Sequence, residues 1–443
     1  MSLLLMSACS VMPTYQRPEV SVMPGWSEQQ AATPSVIARD WWTGFGSAEL
    51  DGLMTEALNN NHDLKGSLAR IEQARASLKS TRSGLFPSVS ASGGTSQTQS
   101  KGDYSDSWRA GSSVSYEVDL FGAVSSSVAA SQAQLEGSIY THEALKLVLM
   151  GDVASTYFSL LNAKERLRIA DDNLEIAGSI LKMVEARFKA GADSALEVSQ
   201  QKSSYESAKA SRASLEANLR TTETALAVLL GKVPATDLVA GTTLSGLVIP
   251  EITAGIPSSL LERRPDIRSA EASLIAANAN IGTARAALYP SVNLGLDWTV
   301  AASGFGNPAT TALALASSLS APIFQGGRLE AGVEQATARQ TELIESYRQT
   351  VLVSFKEVED ALAAAKAAQL REDSLFVSQK EAQTSYELSA SRYRAGTIDF
   401  QTLLNTQSQL FQSRDSYLQA RNARLDAAVT LYKALGGGWS TEK

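Results

Sequence analysis

One cysteine and two histidines are all that 443 residues contain of the side chains that most often bind transition metals or act as nucleophiles. A lone Cys9 excludes a disulfide framework within the chain and any cysteine-rich zinc site. His62 and His142 leave no histidine cluster for a metal. A basic surplus is missing too: 39 Lys+Arg stand against 46 Asp+Glu, a net charge of −7. A nucleic-acid binder needs the opposite balance. No apolar run approaches the ~20 residues of a membrane-spanning helix. Proline is absent from 88 to 233 and again after 322. What is present is 44% hydrophobic residues, enough for a sizeable core and too many for global disorder. The length suits two or three ordinary domains.

Because a proline inside a helix costs about 3 kcal/mol, the proline-free stretches rich in Ala, Ser, Gln, Glu, Leu and Arg read as helices. They fall at 49–82, 123–189, 194–230, 259–287, 327–394 and 399–435. The two longest reach about 100 Å at 1.5 Å per residue, too long for a compact domain.

The halves of the sequence match each other. Leu85-Phe86-Pro87-Ser88-Val89 recurs as Leu288-Tyr289-Pro290-Ser291-Val292, and Leu120-Phe121 as Ile323-Phe324, both at an offset of 203. Arg187-Phe188-Lys189-Ala190-Gly191 recurs as Arg392-Tyr393-Arg394-Ala395-Gly396, and Leu229-Leu230-Gly231 as Ala434-Leu435-Gly436, at 205. A register this constant marks a tandem structural repeat. The expected organisation is an N-terminal segment (1–48), a first repeat (49–231) and a linker or insert (232–258). A second repeat (259–436) and a short tail (437–443) follow. Each repeat reads helix, β-hairpin (86–121 or 289–324), very long helix, tip turn near 191 or 396, helix.

Period-two patterning marks the strands. Trp108, Ala110, Ser112, Val114, Tyr116, Val118 and Leu120 alternate with Arg109, Gly111, Ser113, Ser115, Glu117 and Asp119. Val292, Leu294, Leu296, Trp298 and Val300 alternate with Ser291, Asn293, Gly295, Asp297 and Thr299. These strands are long enough to cross a membrane at a tilt, which takes about 9–11 residues. Tyr104, Trp108, Tyr289, Trp298 and Phe305 fall near strand ends or turns, as interfacial aromatics do. Sheet edges cannot face lipid, so membrane strands close into barrels, and the smallest have eight strands. Four strands per chain therefore require a barrel shared between copies. Two copies give eight strands with a filled interior; three give twelve with room for a pore.

At the tips the local chemistry is helix punctuation. Arg187 and Lys189, like Arg392 and Arg394, place cations in a last helical turn. Gly191 and Gly396 suit a left-handed cap. Ser194 with Glu197 reads as a capping box, and Asp399 as an N-cap. At the other end of the chain, Leu3 to Met6 followed by Ser7-Ala8 and Cys9 reads as a lipoprotein cleavage site, with Cys9 the lipid-bearing residue.

Taken with these features, further stretches carry a family resemblance. They are Pro13-Thr14-Tyr15-Gln16-Arg17-Pro18 after Cys9, Trp41-Trp42 with Phe45 and Leu50, and Arg263-Arg264-Pro265-Asp266-Ile267-Arg268. Ala276-Ala277-Asn278-Ala279-Asn280-Ile281-Gly282, Pro322-Ile323-Phe324 and the ending Leu431 to Trp439 complete them. The chain resembles the outer-membrane efflux protein family, the TolC-like factors, in its lipid-anchored branch. The resemblance implies a mainly α protomer with membrane β. Three copies would form a 12-stranded β-barrel, four strands from each chain, continued by a long periplasmic α-barrel. It implies a passive exit duct in the outer membrane of a Gram-negative bacterium, carrying drugs, toxic compounds or metal ions. Its partners would be a periplasmic adaptor, an inner-membrane transporter of RND type and outer-membrane lipid, with no nucleic acid. No cofactor is implied beyond a covalent lipid at Cys9. The tip residues Arg187, Lys189, Gly191, Arg392, Arg394 and Gly396 become candidates for adaptor docking. Asp193, Asp399 and Asn405 become candidates for the periplasmic gate, where a trimer repeats each three times around an axis. Asn405 and Ser408 stand where close relatives often carry Asp and Arg, so an ionic latch there is not expected.

Other motifs yield nothing. Gly304-Phe305-Gly306-Asn307-Pro308-Ala309 fits a dinucleotide fingerprint only in spelling, since no helix follows it. Gly231-Lys232 lacks the upstream glycine of a phosphate loop, and carboxylate pairs such as Glu357/Glu359 and Asp171/Asp172 read as solvated helix faces. An enzyme is not expected. The alternatives are a duct for type I protein secretion or a non-channel helical scaffold.

Overall fold

The computed structural model describes residues 10–28, 38–234, 239, 241–252, 254–437 and 439, so Cys9 lies outside the described residues. The main elements are α1 (Ala48–Asn60), α2 (His62–Ser83), β1 (Ser88–Ser100), β2 (Asp103–Val118), α3 (Ala123–Lys189) and α4 (Ala195–Leu229). After an insert come α5 (Leu260–Arg263), α6 (Pro265–Ala286), β3 (Ser291–Ala302), β4 (Thr310–Ser320), α7 (Arg328–Arg394) and α8 (Phe400–Ala434). The tandem repeat extends to element length: α2 and α6 each have 22 residues, α3 and α7 each 67, α4 and α8 each 35.

Two helices expected as continuous are broken. Asn61 interrupts the first: its side-chain amide donates to the Leu229 carbonyl at 3.0 Å, and its Oδ1 accepts from the Leu64 N–H at 3.0 Å. One side chain thus caps α2 and ties it to α4. Pro265 breaks the other, because the residue before a proline is driven out of the helical region. Arg264 accordingly sits at φ −84° and ψ 120°. A third difference concerns hydropathy. α3 does contain an 18-residue window apolar enough to cross a membrane by length and composition, and 56% of that window is buried inside the protein.

The chain forms two compact units, each drawing on both repeats. One comprises Met1–Val20, Ser67–Thr141 and Asp266–Val351. It holds an antiparallel sheet in the order β1-β2-β3-β4. Lys101 at φ 54° and Gly102 at φ 98° make the tight turn between β1 and β2, the primed geometry that matches strand twist. The register separates two chemistries. Val89, Val114, Leu296 and Leu315 stand side by side across the four strands, and so do Ala91, Ser112, Trp298 and Leu313. The opposite face carries Ser90, Ser113, Asp297 and Ala314 in one row, and Gly94, Arg109 and Ala301 in another. Asp119, expected on that polar face, lies beyond the end of β2. Its carboxylate instead accepts from the Val124 and Ser125 N–H groups at 3.1 and 2.8 Å, capping α3.

An extended N-terminal strap lies along α6 in the same unit. Arg17 grips Glu271 in a bidentate pair at 2.6 and 2.7 Å, and Asn278 donates to the Pro13 carbonyl at 2.7 Å. Gly282 is needed there, since a Cβ would stand 2.6 Å from Ser126 Oγ and 2.7 Å from Met12 Cβ. The strap reaches Gly122, where a side chain would meet Ser10 Oγ at 3.4 Å.

The other unit comprises Ser21–Gly66, His142–Pro265 and Leu352–Lys443. Its main core gathers Trp41, Phe45, Leu50 and Met54 with Tyr157, Phe158 and Leu161 of α3, Leu226 of α4 and Leu425 of α8. Trp41 stacks on Tyr432 with ring centroids 4.8 Å apart. Asp426 stands half-buried beside this core, accepting from Asn422 at 3.0 Å, and burial raises its carboxyl to about 6. Between the ordinary carboxylate value and 6 the folded state therefore binds more protons than the unfolded chain. Stability falls as pH rises through that window. Asp426→Asn is expected to raise the apparent melting temperature at pH 7, by on the order of 1–3 kcal/mol of stability, and to leave it unchanged near pH 4. An equal gain at both pH values would show that the carboxylate is not the cause.

Candidate functional site: the paired helix tips

Both tips end their long helix in the same way. At the first, Gly191 takes φ 77°, its N–H donates to the Phe188 carbonyl at 2.9 Å, and the Ala192 N–H reaches the Arg187 carbonyl at 2.9 Å. At the second, Gly396 takes φ 72°, with N–H bonds from Gly396 to Tyr393 and from Thr397 to Arg392 at 3.0 Å. This is the glycine-terminated cap, and it frees the chain to reverse into the next helix. α4 then opens with the Ser194 N–H donating to Glu197 at 2.5 Å. α8 opens with Asp399, whose Oδ1 accepts from the Thr402 N–H at 2.7 Å. Hydrogen bonds from the Thr402 hydroxyl and N–H hold the Asp399 carboxyl below its ordinary value, so it is anionic across the physiological range.

The tips differ in what lies between them. Asp193 turns inward: its side chain is only 3% exposed and pairs with Arg187 Nε at 2.9 Å. The Tyr393 hydroxyl donates to the other carboxylate oxygen at 2.6 Å. The Arg187 guanidinium also lies 4.7 Å from the centre of the Tyr393 ring. Burial first, then the bond to Asp193, raises the Tyr393 phenol, so it stays a protonated donor. Arg187 is raised by its own bond to the same carboxylate. Under this triad sits a small apolar core of Ile180, Val184, Ala390, Tyr393, Phe400 and Leu403, drawn from α3, α7 and α8. Tyr393 packs edge-on against Phe400 with centroids 6.0 Å apart. The two helical hairpins are thus clasped to each other at their turns by one charge-assisted network on a packed base.

Residues expected separately at a docking tip and at a gate meet here, since Arg187 and Asp193 are bonded partners. Lys189, Arg392 and Arg394 stand exposed around the turns, and so does Asn405, which accepts from Gln401 at 3.0 Å. Exposed apolar side chains accompany them at the first tip, Phe188 at 46% and Leu196 at 65%. Tyr393 is the member of this network that sequence reasoning passed over. A signal for it existed: the repeat places Phe188 opposite Tyr393, and the hydroxyl is what distinguishes the two rings. Among the described residues, no group of three or more His, Cys, Asp or Glu is placed to hold a metal ion.

Comparison with known proteins points one way. The sequence profile described as "Outer membrane efflux protein" matches residues 53–232 and 256–437. The pyoverdine export outer membrane protein OpmQ of Pseudomonas putida is 37% identical over 454 residues, covering 98% of this chain and 96% of that protein. The solvent efflux pump outer membrane protein SrpC of Pseudomonas putida is 32% identical, covering 100% and 98% respectively. Among solved structures, the open state of the Neisseria gonorrhoeae MtrE outer membrane channel superposes with a TM-score of 0.88. It is 30% identical, and the match covers 97% of this chain and 98% of that one.

Proposed function

The chain belongs to the outer membrane efflux protein family, and from that premise we propose how this particular duct is assembled, anchored and held shut. It is an outer membrane channel of an efflux pump, a passage rather than an enzyme, and it works with an adaptor and an inner-membrane transporter. Three copies close one barrel. The observation that carries this is the sheet itself: among the described residues β1 and β4 each have a single strand neighbour, and the face bearing Leu313, Leu315 and Trp298 is exposed. Unpaired edges in lipid would leave a row of backbone groups unsatisfied. Pairing β4 of one copy with β1 of the next satisfies them and turns the apolar face outward to the acyl chains. The face of Ser90, Ser113, Ala314, Asp297 and Arg109 then lines a wet lumen. Its small, mostly uncharged side chains suit a duct that does not select its cargo, and small organic compounds of the kind in the relatives' names are the class it would carry.

The adaptor docks on the exposed Phe188, Lys189, Leu196, Arg392 and Arg394 around the two turns, and the transporter behind it is of the RND type. In the resting state the Arg187–Asp193–Tyr393 network keeps the hairpins together, and docking at the turns loosens it. A lipid on Cys9 anchors each copy. This reading draws support from the strap, which carries Ser10 to Gly122, at the junction of sheet and helix. The test is the native mass in detergent, corrected for bound detergent, together with conductance in planar bilayers. Three chain masses and a water-filled conductance are expected; a single-chain mass without detergent would overturn the assembly.

A further inference from the structure

The two repeats contain the same elements but bury them unequally, and the difference marks a surface made for a second copy. α6 is almost wholly covered by α3 and the strap: Ser127 bonds Thr283 at 3.2 Å, Thr141 bonds Ser269 at 3.0 Å, and Gly137 admits Ala272. Its counterpart α2 buries only Leu64, Ser67, Ile71 and Leu78. α2 does meet a long helix, Thr81 bonding Ser131 of α3 at 3.0 Å, but most of its surface stays exposed.

The junction between strands and helices bears on that exposed surface. Within the chain Phe121, just past β2, stacks on Tyr289, just before β3, with centroids 4.5 Å apart and planes 18° from parallel. The repeat offset of 203 carries Phe121 to Phe324 and relates Tyr289 to Phe86. Neither counterpart is covered: Phe324 is 87% exposed, Phe86 68%, and Ile323 92%. Phe324 follows β4 and Phe86 precedes β1, and these are the opposite edges of one sheet, so within one copy the two rings are held the width of the sheet apart. Beside Phe86 opens a cavity of about 350 Å³, lined by Arg75, Leu78, Lys79, Arg82 and Ser83. The helix that follows Phe324 carries Glu330 and Glu334 in its first turns, opposite in sign to the Arg75, Lys79 and Arg82 of that cavity.

We propose that Phe324 of one copy stacks on Phe86 of the next, with Ile323 entering the cavity beside it, repeating between copies the Phe121–Tyr289 stack formed within each. The contact seals the seam where the barrel meets the helices. It rests on the trimeric reading above and adds to it a residue pair. Stacked aromatics are worth more than their buried area alone, so the pair also fixes the register of β4 on β1.

The test uses the full chain in detergent, with Phe86→Cys and Phe324→Cys combined and a short bifunctional thiol reagent. Covalent dimers and trimers are expected on a denaturing gel from the double variant, and none from either single variant, both of which retain Cys9. A Phe121→Cys/Tyr289→Cys protein supplies the internal reference, since its crosslink joins residues of one chain and leaves the chain count unchanged. A trimeric native mass with no covalent ladder, while the reference pair reacts, overturns the stack and leaves the trimer standing. A single-chain native mass overturns both. Should the cysteine pair not assemble, Phe86→Ala and Phe324→Ala decide the matter. Each is expected to lower the temperature at which the trimer dissociates, and the double variant to lower it no further than the worse single one. Additive losses, or none, reject the contact.

Discussion

Asp193→Ala is expected to raise the single-channel conductance of the duct in planar bilayers without changing its trimeric mass. The carboxylate accepts from two groups at once, Arg187 at 2.9 Å and Tyr393 at 2.6 Å, and its side chain is almost wholly enclosed. Without it a guanidinium and a phenol lose their shared acceptor, a cost on the order of 2–4 kcal/mol for charge-assisted bonds. On the gating proposed above, the loss falls on the closed arrangement alone, since parted hairpins leave both donors to water. Each ~1.4 kcal/mol shifts the balance between closed and open tips about tenfold. Tyr393→Phe keeps the ring against Phe400 and under Arg187 but removes the hydroxyl, so a smaller change in the same direction should follow. Unaltered conductance in an assembled Asp193→Ala protein would mean that the closed state is held elsewhere.

Glu372→Ala should cost about 3–5 kcal/mol, the usual loss when one partner of a buried ion pair is removed. Glu372 on α7 has a side chain only 6% exposed and receives Arg421 at 2.9 Å and Arg424 at 2.8 Å, both from α8. Arg421 donates onward to the Leu247 carbonyl at 2.6 Å, so one carboxylate holds α7, α8 and the insert between the repeats. The variant should melt at a clearly lower temperature, and protease should cut first within the insert near Leu247. Replacing Glu372, Arg421 and Arg424 together by apolar residues of similar volume should lose much less, because no charge is then left buried without its partner. If the single and triple variants melt alike, packing rather than charge accounts for the site.

Much of the fold was legible because its signals are local and repeated. Missing prolines marked the long helical stretches, and the glycine turns within them put helix ends at Lys189 and Arg394, in agreement with the structure to the residue. Period-two alternation located β2 and β3, since a strand half-exposed to each environment sorts its side chains by face. The serine- and glycine-rich β1 was harder to place, because Ser and Gly report no preference for either face. The breaks at Asn61 and Arg264 went unread for different reasons: Asn61 owes its place to Leu229 far along the chain, whereas Pro265 was a local signal left unused. The glycine caps of the tips were readable; the inward turn of Asp193 was not.

By itself the sequence determined a duplicated chain of long helices and two amphipathic hairpins, and hence a barrel that one copy cannot close. These follow from propensity, periodicity and the rule that backbone groups in lipid must be paired, none of which needs coordinates. Only the tertiary structure decided that Arg187, Asp193 and Tyr393 form a single network, that Glu372 gathers two arginines, and that Phe324 and Phe86 remain uncovered while Phe121 and Tyr289 stack. Apart from Arg187 and Asp193, which are close in the chain, these relations join residues dozens to hundreds of positions apart. Their strength depends on distances of a few ångströms and on burial, and both are set by how helices and strands pack, not by any local run of residues.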